Sequence, residues 1–114
     1  MMMKLRALKN HAQFDRVFHE GRFAVKEDLV CYCLRNDAEV TRVGISLSAR
    51  VGNAVERNRL RRRLREIVNQ QAANLAAGWD VVLLVRQPVD AAFATLRKQV
   101  LYLLKNRELL KEAR

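Results

Sequence analysis

The chain has 114 residues, half of them hydrophobic, with 4 glycines and 1 proline. That is enough for one domain with a modest core, and it excludes a disordered, loop-rich or fibrous chain. Lys and Arg number 22 against 12 Asp and Glu, a net charge of +10 at pH 7, which points to a polyanionic partner: nucleic acid first, an anionic membrane surface second. No apolar run approaches the roughly 18 residues a membrane span needs, and residues 1–10 lack an apolar signal core. Two cysteines, Cys31 and Cys33, are too few for a disulfide framework or a four-ligand zinc site. A reduced, cytoplasmic protein is expected.

In chain order, residues 1–9 are short and basic and read as an arm that orders on contact. Residues 10–20 place Phe14, Val17 and Phe18 at i, i+3 and i+4, a short amphipathic helix that Gly21 would stop. Residues 28–35 are rich in strand formers, and Asn36, Asp37 and Ala38 look like a turn. Residues 40–48 follow as a second strand, so the two runs are expected to pair as an antiparallel hairpin. Gly52 and Asn53 break that strand. Asn53 is a good N-cap, and Glu56 stands three residues on, at capping-box spacing. Leu60, Leu64, Ile67, Val68 and Leu75 then mark one face of a long helix ending at Gly78. Residues 80–85 are a near-continuous apolar run suited to a buried strand. After a turn at Pro88 and Asp90, Phe93, Leu96, Val100, Leu103 and Leu104 define a last helix to about Leu110. The order α-β-β-α-β-α predicts a two-layer α+β sandwich, a single domain over residues 1–114.

The charge is concentrated. Arg57, Arg59, Arg61, Arg62, Arg63 and Arg65 fall within nine residues. At helical spacing Arg57, Arg61 and Arg65 share one stripe, Arg59 and Arg63 another, and Arg62 lies beside them. Like charges at i, i+4 repel by a few tenths of a kcal/mol per pair, and Glu56 and Glu66 offset only part of that. Phosphates would relieve the repulsion, because guanidinium groups match them bidentately and a helix N-terminus attracts anions. Arg50 adds to the same end. Only Asn58 interrupts the arginines with a base-reading side chain, and strands rather than helices flank the segment. Backbone and shape recognition of structured RNA therefore fits better than a DNA recognition helix.

A second candidate surface is aromatic. Phe14 and Phe18 project from the first helix, and Tyr32 alternates with Val30 and Leu34 on a strand. Such rings can stack unpaired bases, but Phe residues at helical spacing more commonly pack a core, and spacing alone does not overturn that reading. His11, Asp15 and His19 share one helix face, but the outer two are about 12 Å apart by helix rise, too far for one metal. No nucleophile–base pair and no phosphate-cradling glycine loop stands out, so an independent catalytic site is not expected.

The stretch from Arg42 to Val68, RVGISLSARVGNAVERNRLRRRLREIV, resembles the bacterial ribonuclease P protein subunit. The resemblance rests on Arg57, Asn58 and Arg59, followed by Arg62, Arg65 and Glu66, and on the approach Val51, Gly52, Asn53. The Phe14–Phe18 helix before Gly21 and Arg22, the apolar strand from Asp80, and Arg86 near a proline extend it over nearly the whole chain. Ala49 departs from it, standing where the family often has a lysine or arginine. The resemblance implies an α/β sandwich with a left-handed βαβ crossover, against the usual hand. It also implies a catalytic RNA as partner, in a 1:1 ribonucleoprotein with a monomeric protein. The reaction would be removal of the 5′ leader from precursor tRNA, with RNA-bound Mg²⁺ supplying the hydrolysis. On this match Asn53, Arg57, Asn58, Arg59, Arg61, Arg62 and Arg65 would dock on the catalytic RNA. Phe14, Phe18, Tyr32, Arg50 and Arg86 would line or flank the leader path. If about six phosphates are neutralised, log K for structured RNA falls with log salt at a slope of about −4 to −5. Filter binding across a salt series measures this, and a slope near zero would contradict it.

Overall fold

The apolar run near residue 80 is the middle of the sheet. The computed structural model describes residues 6–111. The elements are β1 (Arg6–Ala7), α1 (His11–Glu20), β2 (Arg22–Lys26), β3 (Leu29–Arg35), β4 (Arg42–Leu47), α2 (Ala54–Gln70), β5 (Trp79–Val85) and α3 (Phe93–Asn106). The strands lie in the order β1-β4-β5-β3-β2. β5 pairs parallel with β4 and antiparallel with β3, which makes it a central strand, and with α2 and α3 on one face and α1 on the other Val81, Val82, Leu83 and Val85 are buried. β4, α2 and β5 form a βαβ unit. The expected α-β-β-α-β-α order holds, with β1 and β2 added.

Three expectations are corrected. First, residues 28–35 and 40–48 do not pair as a hairpin, because β5 lies between β3 and β4. The hairpin is β2–β3, with Arg22 opposite Cys33 and Lys26 opposite Leu29. Its connection, Glu27–Asp28, puts Glu27 at φ 56 without any glycine to announce the turn. The turn chemistry at Asn36 is real, since its Oδ1 accepts from the Ala38 N–H at 2.9 Å, but it leads into a crossover rather than a hairpin. Second, α2 stops at Gln70. A 3₁₀ turn at Ala72–Asn74 follows, and Leu75 is buried through a bridge to Leu110, not as part of the helix face. That bridge also takes Leu110 out of α3, which ends at Asn106. Third, the basic arm is not free over residues 6–9: β1 pairs parallel with β4 and Leu8 is buried. The rest of the arm, residues 1–5, lies outside the described residues.

Alternation along the strands sorts side chains onto two faces. On one, Leu29, Cys31, Cys33, Val81, Leu83, Val85 and Leu47 pack against Leu60, Leu64, Ile67 and Val68 of α2 and Leu96, Val100, Leu103 and Leu104 of α3. On the other, α1 covers part of the sheet: Val17 is fully buried with Leu8 and Val82, and Phe14, Phe18, Tyr32 and Leu34 pack around them. Cys31 and Cys33 share a face, as expected, and both are free thiols. Burial, then the neighbouring Cys33, pushes the Cys31 thiol up to about 12 against a weaker pull from Arg107. Among the described residues no helix is long and apolar enough to cross a membrane.

One buried ionic network clips strand starts together. The Arg42 guanidinium donates from Nε and Nη2 to the two Asp80 oxygens at 2.8 and 2.7 Å, and Asn36 Nδ2 donates to Asp80 Oδ1 at 2.9 Å. Burial pushes the Asp80 carboxyl up, but the Arg42 and Asn36 hydrogen bonds and the Arg42 charge outweigh it and hold the group below its usual range. A depressed folded-state pKa contributes stability that is present above the unfolded value of about 3.9 and is lost as pH falls through the folded one. Asp80→Asn leaves Arg42 without its counter-charge and is expected to cost about 2–3 kcal/mol at pH 7. Urea melts at pH 7 and at about pH 3 measure it. The gap between variant and wild type narrows in acid, and a gap independent of pH would show that the charge pair is not its source.

Candidate nucleic-acid interface

α2 starts where the sequence says it should. The Glu56 N–H donates to Asn53 Oδ1 at 2.9 Å, and the Asn53 N–H donates to Glu56 Oε1 at 3.1 Å, a closed capping box. Gly52 precedes it at φ 142, where a Cβ would also meet the Glu56 carboxylate at 2.8 Å. With Leu60, Leu64, Ile67 and Val68 against the sheet, the helix repeat aims Arg62 straight outward. Arg65 and Asn58 fall to one side and Arg59 to the other. All four are exposed.

The remaining arginines are not free in the same way. Arg57 is half-buried and donates to the Ser48 and Leu47 carbonyls at 2.5 and 3.3 Å, tying the helix start to the end of β4. Arg63 donates to the Ala91 carbonyl ahead of α3. Arg61 is half-buried and, with Arg65, Arg6 and Phe14, lines a cavity of about 310 Å³ at the sheet edge. Among the described residues no carboxylate lies within ion-pair distance of any α2 arginine; the ion pairs there are Arg16–Glu20 and Arg42–Asp80. The cationic face is therefore unbalanced.

The other face of the sheet carries a row of rings. Phe14 and Phe18 have centroids 6.4 Å apart, Phe18 meets Tyr32 edge-on at 4.9 Å, and Tyr32 lies 5.6 Å from Phe23. Phe14 lies directly over Gly44, where any Cβ would strike its ring. Phe14, Phe18 and Tyr32 are half-buried, so they are core on one side and surface on the other. Phe23 is 59% exposed. Sequence reasoning missed it because β2 was not anticipated, although the alternation in Arg22–Lys26 could have found it.

Arg50 and Arg86 sit together at a different place, just past the C-terminal ends of the parallel neighbours β4 and β5. Arg50 is exposed on the turn Ala49–Val51, and Arg86 donates from Nη2 to the Glu27 carbonyl at 3.1 Å. Tyr32 is opposite Val82, so Arg86 lies four residues along β5, roughly 13 Å from the aromatic row. The predicted leader residues thus fall into two groups, the ring row and the two arginines, not one pocket. His11, Asp15 and His19 are exposed, and His19 Nδ1 donates to the Asp15 carbonyl at 2.8 Å. Among the described residues no group of three or more His, Cys, Asp or Glu is placed to hold a metal ion.

A five-stranded α+β sandwich with one unbalanced arginine helix and a ring-lined sheet face defines a class of small basic proteins. A profile of the family described as Ribonuclease P matches residues 2–108. The ribonuclease P protein component of Brevibacillus brevis is 32% identical over 98% of this chain and 90% of its own. That of Caldanaerobacter subterraneus is 36% identical over 98% and 97%. The solved RNase P protein of Staphylococcus aureus superposes with a TM-score of 0.86 at 27% identity, covering 95% of this chain and 100% of that one. The Thermotoga maritima protein superposes at 0.78 with 30% identity, covering 89% and 96%. The chain belongs to the ribonuclease P protein family.

The capping box yields a clean prediction. Asn53→Ala removes one cap of α2 and is expected to lower stability by about 1 kcal/mol, read as a shifted urea midpoint with an unchanged slope. No shift would mean that the cap does not hold the helix start.

Proposed function

We propose that this chain, acting as a single RNA-binding domain, is the protein subunit of a ribonuclease P holoenzyme. In this reading it binds a catalytic RNA and the 5′ leader of precursor tRNA. The observation that carries it is the outward face of α2, where exposed Arg59, Arg62 and Arg65 have no carboxylate partners among the described residues. A fixed array of unneutralised guanidinium groups suits a rigid polyphosphate surface. Asn53, Asn58 and Arg61 flank the same contact. Arg57 serves it mainly by fastening the helix to β4.

The leader lies along the opposite sheet face. Phe14, Phe18 and Tyr32, extended by Phe23, offer ring surface for unpaired bases, and Arg50 and Arg86 receive phosphates at the far end. In this reading the hydrolytic nucleophile does not come from the protein. Mg²⁺, a hard cation that favours phosphate oxygens, would be held mainly by the RNA and would supply the hydrolytic chemistry there. The protein's part is to screen phosphate repulsion and hold the substrate strand. The holoenzyme pairs one protein with one RNA in the cytoplasm.

Reconstitution with a matched bacterial ribonuclease P RNA is expected to restore precursor-tRNA cleavage at low Mg²⁺; no stimulation would sink the proposal. Replacing Arg59 and Arg62 with Ala weakens RNA-subunit binding and reduces the salt slope by about one per arginine. Phe23→Ala, at an exposed ring, weakens binding of leader-bearing substrate by about tenfold and leaves mature tRNA unaffected. An equal loss for both substrates would place the ring outside the leader path.

A further inference from the structure

A second aromatic–arginine site lies away from both surfaces above. It is a cavity of about 400 Å³ at the end of the sheet where β3 finishes and β5 begins, on the α3 face. Arg35 and Trp79 are direct partners in the β3–β5 register, and the Arg35 guanidinium carbon lies 5.1 Å from the indole centroid. Arg22 enters from β2, opposite Cys33. Arg107 enters from the end of α3. Its backbone is fixed by a hydrogen bond to the Leu103 carbonyl at 3.0 Å, and Glu108 then turns at φ 58 to bring buried Leu109 home.

The polar groups here are poorly satisfied. Arg107 Nε is buried and has no hydrogen-bond partner among the described residues. Glu20 and Glu108 stand at the rim, but neither lies within ion-pair distance of Arg22, Arg35 or Arg107; Glu20 instead reaches Arg16 at 3.8 Å. Arg22, Arg35 and Arg107, without carboxylate partners among the described residues and beside an indole stacked on a guanidinium, suit a planar ring joined to an anion. The volume falls within the range of small-ligand pockets.

We propose that this cavity binds a nucleotide unit, its base stacked on the Arg35–Trp79 pair and its phosphate held by Arg22 and Arg107. The unit is either a free mononucleotide or one residue of an RNA strand passing the α3 end of the molecule. The site shares no residue with the arginine face of α2 or the aromatic row, so it does not depend on the ribonuclease P reading.

Trp79 is the sole tryptophan of the chain, so its emission reports on this cavity alone. Titrating the whole protein with adenosine monophosphate is expected to change Trp79 emission saturably. Arg107→Gln or Arg22→Gln weakens binding by about tenfold, the scale of one lost charge-assisted contact, whereas Lys98→Gln, an equal loss of charge at an exposed position elsewhere on α3, leaves it unchanged. Arg22 is exposed on an edge strand, so its variant tests the site even if Arg107→Gln fails to fold. Adenosine without phosphate binds more weakly than the monophosphate. A short oligoadenylate binding more tightly than the monophosphate assigns the site to RNA, and equal or weaker binding assigns it to a free nucleotide. Absence of a saturable change with both ligands, or equal binding by wild type and both arginine variants, overturns the proposal.

Discussion

The apolar stripe of α2 holds a strongly cationic surface in a fixed position. Leu60, Leu64, Ile67 and Val68 are each at most 3% exposed, and burying such side chains contributes about 1.5–3 kcal/mol apiece as an upper estimate. The like-charge pairs along the same helix cost only a few tenths of a kcal/mol each. Packing therefore wins, and the repulsion stays in the folded protein as an electrostatic field, not as a reason to unfold. The capping box and the Arg57 splint to β4 then fix the direction in which Arg59, Arg62 and Arg65 point.

The sheet separates the two surfaces that serve the proposed function. Because β5 is covered on both faces, α2 and the row Phe14–Phe18–Tyr32–Phe23 lie on opposite sides of it. They approach each other at one place, the sheet edge, where Arg61, Arg65, Arg6 and Phe14 line a common cavity. An RNA docked on α2 and a strand crossing the rings would thus be held by one rigid body without competing for the same side chains. The Arg42–Asp80–Asn36 network sits under this arrangement and aligns the starts of β4 and β5.

Much of this was legible in the sequence, and the parts that were not have identifiable causes. The Asn53 cap and the α2 stripe follow from local rules, and the structure shows the cap and four of the five stripe residues, all but Leu75. The buried strand at residues 80–85 was likewise readable, since its residues are apolar on both faces. The strand partners were not readable, because the choice between β3–β4 and β4–β5 pairing is made by α2 crossing over the sheet. β2 escaped notice because Glu27 takes a positive φ that acidic residues seldom advertise, and Phe23 was missed with it. The arginines were counted correctly, but which ones spend their donors on backbone carbonyls, as Arg57 and Arg63 do, depends on where β4 and the turn before α3 lie in space.

The central claim is that α2 meets the catalytic RNA while the ring row meets the leader. Site-directed photo-crosslinking tests it directly, with a cysteine-linked probe carried by Arg62→Cys or by Phe23→Cys in the reconstituted holoenzyme with precursor tRNA. Cys31 and Cys33 are buried and their thiols are pushed up by that burial, so the probe attaches at the introduced position. The expected result is crosslinks to the catalytic RNA from position 62 and to the 5′ leader from position 23. Crosslinks to the same RNA from both positions, or the reverse assignment, would contradict the account.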